Sequence, residues 1–498
     1  MSAAPDREPD PPTDAFWRWV AAAATASVAL RLRFIAAPLT VDESGALTVA
    51  RSWAHGRRLY TDVFIDRPQG VVALFQRWDA LMGGHPAGIR VLAMVAGIAA
   101  VVGVAVAARA VSGSWRAGAA AAWLAAVISS SAAFEGYAAN GELLAGGFAV
   151  PALAIGALVI TRRLAPSWLV LAGALSATGM TMKQSGFDVP VAIGAWLVLA
   201  AVLGWRPWRQ VVAPLAWLGL GAAAVLGAVA VHGASLGWDA YVYALYGFRL
   251  HARSALAGAQ TRRMLITMGI AAPLLLPTVI IAARRLHGTQ PRALRRMRPE
   301  HVLVVLWLAA AGAAFAVGGN FHRHYWIELT FPFAALFGIL LAAATDPARV
   351  EPIADLRRSL TWALALPLAI SLVLIAAPRI ERDRRIDADE ALADWYHARS
   401  ATEGAGNGLL PLCASATYYL DAGELPRYRY LWVDHVQSGR GAIGDLVRLL
   451  DGPDRPSFLA MQQPASRCDR SGRLQAAIDR NYRPAATVVG VPVLAART

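Results

Sequence analysis

Over its first three quarters the chain alternates long apolar runs with short polar turns, and the length of the runs predicts helices that cross a membrane. A helix needs ~20 mostly apolar residues to cross ~30 Å of hydrocarbon. Eleven such segments are predicted, at about 16–36, 89–109, 117–134, 142–161, 167–183, 187–205, 211–231, 265–283, 301–317, 325–344 and 360–378. They are rich in Ala, Gly, Val and Leu, small and apolar side chains that let helix backbones approach closely in lipid. In the polar stretch 37–88 the pattern changes. Ala46, Val49, Ala50 and Trp53 recur at helical spacing, and Val71, Leu74, Phe75, Trp78 and Leu81 do much the same after Pro68. Two amphipathic helices on the membrane surface fit this pattern.

After residue 379 charge returns and short apolar runs appear between helical patterns. Leu409 to Ala414 and Ser457 to Met461 read as buried strands, and Ala442 to Leu450 and Leu474 to Ile478 as helices. The fold class expected is an α-helical polytopic membrane protein of about eleven transmembrane helices with a small extracytoplasmic α/β domain. The organisation expected is a disordered tail at 1–15, a membrane module at 16–378 that includes the outer loop 37–88, and the α/β domain at 379–498. Residues 1–15 carry Asp6, Glu8, Asp10 and Asp14 against Arg7. A cleaved signal peptide begins with a basic region, so segment 1 reads as a retained anchor.

Composition agrees with this picture: 57% of the 498 residues are hydrophobic and 16% are charged, against roughly 25% in soluble domains. The net charge of +14 would by itself suggest a nucleic-acid partner. The distribution of the charge says otherwise. Loops after segments 2, 4, 6 and 8 carry Arg109, Arg116, Arg162, Arg163, Arg206, Arg209, Arg284, Arg285, Arg292, Arg295, Arg296 and Arg298 against one acid, Glu300. Basic short loops stay cytoplasmic. The N-terminus is then expected inside, the 379–498 domain outside, and no nucleic acid as partner. One outer loop, 232–264, disagrees with its Arg249, Arg253, Arg262 and Arg263. Two cysteines, Cys413 and Cys468, exclude a four-thiolate zinc site and allow one disulfide or two reduced thiols.

Charged groups at a membrane edge are costly and tend to be functional. Asp42 and Glu43 follow segment 1, where a carboxylate can act as general base on a hydroxyl while a lipid-linked molecule enters from the bilayer. They equally suit the cap of the surface helix that follows. Arg31 and Arg33, in the last turn of segment 1, can snorkel to the interface or bind a phosphate. Lys183, the single lysine among 47 basic residues, is predicted in the outer turn between segments 5 and 6 and is a candidate phosphate ligand. The stretch His322-Arg323-His324-Tyr325-Trp326 can hold an anionic head group. Glu135, Asn140 and Glu142 fill another outer turn. His322 and His324 could ligate a metal with a carboxylate, but no further metal-ligand spacing is present. No cofactor is therefore assigned, and a divalent metal stands as the minority alternative. No phosphate-binding loop, dinucleotide fingerprint or nucleophile elbow occurs.

These residues resemble the GT-C superfamily of polyprenyl-phosphate-sugar-dependent membrane glycosyltransferases, in the branch of protein O-mannosyltransferases and the lipid A aminoarabinose transferase. The resemblance rests on Asp42-Glu43 after the first span, Gly56 to Asp62 as a G-x-x-x-Y-x-D stretch, and Asp66-Arg67-Pro68. It extends to Lys183, His322 to Tyr325 leading into Pro332, Tyr418-Tyr419-Leu420 at a strand end, and Pro426-Arg427-Tyr428. Relatives usually carry a Lys-Pro-Pro run where this chain has Arg67-Pro68-Gln69, so the donor contacts near Arg67 stay open. The resemblance implies inverting sugar transfer at the outer face of the cell membrane, from a polyprenyl-phosphate-linked sugar to a cell-envelope hydroxyl. Asp42 and Glu43 would be catalytic, with Asp42 the base. Arg67, Lys183, His322 and Arg323 would hold the donor phosphate, and Asp62, Asp66, Glu142, His324 and Tyr325 would form a second tier toward the acceptor. A transporter or flippase for a lipid-linked saccharide is the alternative, and an inert scaffold a third. Transporters often show inverted repeats and midplane polar groups, which the sequence does not display.

Overall fold

The structure, a computed structural model, describes residues 13–295, 298–343, 352–377, 384–403, 406–414 and 416–497. Most of the expected N-terminal tail, Arg296 and the start of the expected C-terminal domain fall outside them. In chain order the helices are α1 (Thr13–Leu32), α2 (Val41–Ala54), α3 (Gln69–Leu81), α4 (Ala87–Ser112), α5 (Trp115–Ser129), α6 (Gly141–Ile160) and α7 (Leu169–Met182). Next come α8 (Asp188–Val202), α9 (Val212–Ser235), α10 (Trp238–Val242), α11 (Phe248–Arg295), α12 (His301–Gly318), α13 (Trp326–Ala343) and α14 (Pro352–Ala376). Then follow α15 (Arg384–Glu403), β1 (Leu409–Pro411), α16 (Thr417–Asp421), α17 (Val433–Ser438), α18 (Ala442–Asp451), β2 (Phe458–Ala460), α19 (Arg473–Asn481), β3 (Tyr482–Val488) and β4 (Val491–Ala496).

These elements form two compact units. Unit 1 comprises Met1–Ile35, Arg90–Ala228 and Gln260–Ala377, and unit 2 comprises Ala36–Ile89, Val229–Ala259 and Pro378–Thr498. The outer loop therefore shares a unit with the C-terminal α/β elements.

Among the described residues seven helices are long and apolar enough to cross a membrane, and the chain is a multi-pass membrane protein. The other four predicted segments are also helical. Of these, α5, α7 and α8 have only 14 or 15 residues, and α1 carries Asp14, Arg18 and Arg31. In unit 1, α5 lies buried along its whole length, its alanines packed against α13 and α1. Helices α7 and α9 touch backbone to backbone: a Cβ on Gly173 would come within 2.0 Å of the Leu218 carbonyl oxygen, and one on Gly221 within 1.9 Å of that of Val170. Only glycine permits such a crossing.

Arg31 does not snorkel. Its guanidinium is buried and donates to the carbonyls of Gly136 at 2.7 Å, Ser129 at 3.0 Å and Ser27 at 3.1 Å, and to the Ser27 and Ser130 hydroxyls. Arg33, two residues on, is exposed.

In unit 2 both amphipathic helices form where their periodicity predicts. Thr40 caps α2 through a capping box: the Glu43 amide donates to Thr40 Oγ1, and Glu43 Oε2 accepts from the Thr40 amide at 2.9 Å. Arg51 ties α2 to α3 through Asp79, at 2.9 and 3.0 Å, and to the Gly84 carbonyl. Gly45 seats α2 against the Trp432 indole, which a Cβ would meet at 2.1 Å. The region 232–264, expected as a loop, is helical: α10, a π-turn at Tyr243–Gly247 and the start of α11.

The sheet has the order β1-β2-β4-β3, with β1 and β2 parallel and the other pairs antiparallel. The β3–β4 hairpin, absent from the sequence expectations, turns at Val489 and Gly490, with φ of 46° and 78°. Two successive positive φ values are the geometry of a tight hairpin turn. Tyr418-Tyr419-Leu420 lies in α16 and not at a strand end. Cys413 and Cys468 are joined by a disulfide.

Candidate functional site

The sequence-derived residues fall into two clusters, one within each unit. In unit 2 the Pro-rich turn before α3 brings Arg67 toward the first turn of α2, and Arg67 Nη2 stands 4.0 Å from Asp42 Oδ2. The Asp42 side chain is 42% exposed, so its carboxylate is open to an incoming group. Glu43 is 1% exposed, and its carboxylate serves the capping box. Tyr60, in a left-handed conformation at φ 73°, donates its hydroxyl to the Arg67 carbonyl at 3.0 Å and fixes the turn.

Asp66 is a junction. Its carboxylate pairs with Arg249 Nη2 at 2.9 Å and with His435 Nε2 at 3.3 Å, joining three stretches of sequence far apart in the chain. Burial alone would raise the Asp66 carboxyl. The positive Arg249, the His435 hydrogen bond and the nearby Arg67 more than offset it and hold the group well below the usual carboxylate range. Asp62 makes a local turn: its carboxylate accepts from the Arg58 amide at 2.9 Å, which lowers its pKa.

The unit 1 cluster is a chain of alternating charges. Glu135, in the turn after α5 at φ 54°, accepts from Arg323 at 2.6 Å and from His324 Nδ1 at 2.7 Å. Burial pushes the Glu135 carboxyl up, but His324 and Arg323 prevail and hold it at about 2. His324 Nε2 lies 3.9 Å from Glu142 Oε1, and Glu142 in turn is 2.6 Å from Lys183 Nζ. Lys183 also reaches Glu328 at 3.1 Å, and its ammonium sits 3.9 Å from the centre of the Tyr325 ring. Ser185 donates to the same Glu328 oxygen at 3.3 Å. Glu142, Lys183, Ser185, Asp188 and Glu328 line a cavity together with Trp307 and Phe331.

His322 and His324 stack in parallel, and the Arg263 guanidinium approaches His322 Nε2 at 3.2 Å. Among the described residues no group of three or more His, Cys, Asp or Glu is arranged to hold a metal ion.

Thus the structure joins Asp42 to Arg67, and His324, Tyr325, Arg323, Glu142 and Lys183 into one network. Lys183 is 3% exposed and already lies between two carboxylates. Sequence reasoning missed Glu328, Arg263, Arg249 and His435. Glu328 carried a signal, a carboxylate inside an apolar run. The other three did not, because their partners are far away in sequence.

No described protein family matches the sequence, and no curated protein matches it. Solved structures do match in fold. ArnT from Cupriavidus metallidurans bound to undecaprenyl phosphate superposes with a TM-score of 0.58 at 14% identity, covering 97% of this chain and 98% of that one. The archaeal oligosaccharyltransferase AglB from Archaeoglobus fulgidus, in complex with an inhibitory peptide and a dolichol-phosphate, gives 0.59 at 13% identity, covering 94% of this chain and 72% of that one. Both are GT-C membrane glycosyltransferases, and the chain shares their fold.

Proposed function

We propose that this protein is a glycosyltransferase that moves a sugar from a polyprenyl-phosphate donor to a hydroxyl of a cell-envelope acceptor. The observation that carries the proposal is the likeness to a protein crystallised with undecaprenyl phosphate, which spans nearly the whole of both chains. The Asp42–Arg67 pair supplies chemistry of the right kind. An exposed carboxylate with a guanidinium at 4.0 Å can take the acceptor's proton as its oxygen attacks the anomeric carbon with inversion.

As the bond to the lipid phosphate breaks, negative charge grows on that phosphate, and fixed cations stabilise it electrostatically. In unit 2 we assign this role to Arg67; in unit 1, His322 and Arg323 are cations suited to an anionic group at their own cluster. Lys183 keeps a part in it as the cation that balances Glu142 and Glu328. Glu43 supports Asp42 through the cap of α2, and Asp66 supports Arg67. Asp62 shapes the turn ahead of them, and His324 and Tyr325 order the second cluster.

We infer that unit 2 faces the extracytoplasmic side of the cell membrane. The Cys413–Cys468 disulfide supports this orientation, since such bonds persist in oxidising compartments. The arginine-rich loops support it from the opposite side.

The test is transfer by the purified, reconstituted protein, with donors drawn from the polyprenyl-phosphate sugars that accumulate in cells lacking the gene. Asp42→Asn is expected to lower kcat by about 10²–10⁴-fold, the range for loss of a general base. Undiminished turnover would remove Asp42 as the base, and an unchanged envelope glycan profile in the deletion strain would remove the transferase assignment.

A further inference from the structure

We propose that His435 is a positioning residue for the Asp42–Arg67 pair, acting through Asp66; this rests on the transferase function proposed above. His435 lies in α17, in the part of unit 2 contributed by the C-terminal region, and is 4% exposed. Phe64, Phe248 and Trp432 surround its ring with centroids at 5.1, 4.9 and 4.8 Å. Nε2 reaches Asp66 at 3.3 Å, while Nδ1 is buried with no hydrogen-bond partner among the described residues.

The polar reach of His435 is therefore directed at Asp66: the rest of the ring meets an aromatic box, and Nε2 is the atom that can donate to the carboxylate.

The consequence runs along the chain by one residue. Asp66 has Arg249, His435 and the adjacent Arg67 as its positive or donating neighbours. With His435 and Arg249 in place, Asp66 is satisfied from their side, and Arg67 is left to face Asp42 at 4.0 Å. Without the His435 donor, Asp66 competes for Arg67 and draws its guanidinium away from Asp42. The segment is fixed to the same neighbourhood by its backbone. The Phe64 amide donates to the Arg429 carbonyl at 2.9 Å, and Arg57 donates to the Pro426 carbonyl. The C-terminal elements of unit 2 thus hold the loop that carries Arg67.

Asp66, Phe64, Phe248 and Trp432 face His435, and Arg249, His435 and Arg67 are among the groups that face Asp66.

Two variants of the full-length protein separate the outcomes. His435→Leu removes the donor, and His435→Gln restores one through its amide. In the reconstituted transfer assay His435→Leu is expected to lower kcat about tenfold with little change in the KM for the lipid donor. His435→Gln is expected to bring kcat back toward the parent. An unchanged kcat in His435→Leu, or no rescue by Gln, overturns the proposal.

A second measurement needs no turnover. Hydrogen exchange of peptides covering residues 60–68 is expected to accelerate in His435→Leu and to be restored in His435→Gln. Unchanged exchange in the Leu variant also overturns the proposal. If Asp42→Asn retains full activity while exchange responds to His435→Leu, the transferase mechanism has failed and the His435–Asp66 linkage has not.

Discussion

Lys183 and Glu142 form a buried ion pair, Nζ to Oε1 at 2.6 Å, with 4% and 0% of their side chains exposed. Glu328 joins from the other side at 3.1 Å. Taking the cation out of such a group leaves two carboxylates facing each other away from water. Removing one partner of a buried pair typically costs about 3–5 kcal/mol. Lys183→Met should therefore lower the melting temperature of the detergent-solubilised protein steeply, and adding Glu142→Gln and Glu328→Gln should recover part of the loss. A single Lys183→Met variant as stable as the parent would mean that the three charges do not depend on one another.

The Glu135 carboxyl gives the fold a defined acid sensitivity. Its folded pKa of about 2 lies below its ordinary 4.5, so its contribution is complete above about 4.5 and is lost as the pH falls toward 2. The size is on the order of 2–3 kcal/mol. Unfolding followed between pH 6 and 3 should show stability falling in the lower part of that range. Glu135→Gln should be less stable at pH 6 and should flatten the dependence. An identical slope in the variant would place the acid sensitivity elsewhere.

Arg31 holds the Ser129 and Gly136 carbonyls at both ends of the turn that contains Glu135. Arg31→Met would leave several buried carbonyls without donors, each worth about 1–3 kcal/mol. We expect poor recovery of folded protein. Arg31→Lys, with three donors but no planar fork, should be intermediate. Recovery and melting temperature on size-exclusion-purified samples decide between these, and a fully stable Arg31→Met would show that water serves the carbonyls equally well.

The disulfide between Cys413 and Cys468 closes 55 residues of sequence. Chain-entropy reasoning gives such a loop about 4 kcal/mol of stabilisation. The double Cys→Ser variant should be cut faster by protease within residues 406–497 than the parent, and reductant should sensitise the parent in the same way. Equal cleavage rates with and without reductant would show that the cross-link adds nothing to the stability of unit 2.

Much of the fold can be read from local pattern, because a membrane forces apolar residues into long helices and a surface helix repeats its apolar face every three or four residues. Those signals found the membrane helices, α2 and α3. What escaped was set by distance along the chain. Arg249 and His435 meet Asp66 only after folding, and nothing near position 66 announces them. Arg31 looked like an interface arginine because its carbonyl partners, being backbone, leave no mark in the sequence. The β3–β4 hairpin was missed because its turn is Val489-Gly490: only the glycine suits a positive φ, and a β-branched residue gives no signal of a tight turn. Of the candidate site, Asp42 and the His322 to Tyr325 stretch were legible from charge at a membrane edge, and Arg67 only from the family resemblance. The enclosure of Lys183 was not, since it depends on Glu328 arriving from another helix.

The strand order β1-β2-β4-β3 bears on how the protein is made. Because β4 lies between β2 and β3, the sheet stays open until residues 491–496 have left the ribosome, long after the segment around Asp66 has been synthesised. That segment therefore has to wait, unpaired with His435, while the intervening membrane helices are inserted. During this interval the segment that carries Arg67 lacks the neighbours that hold it in the finished fold, so its geometry beside Asp42 is settled only after the later elements of unit 2 have been made.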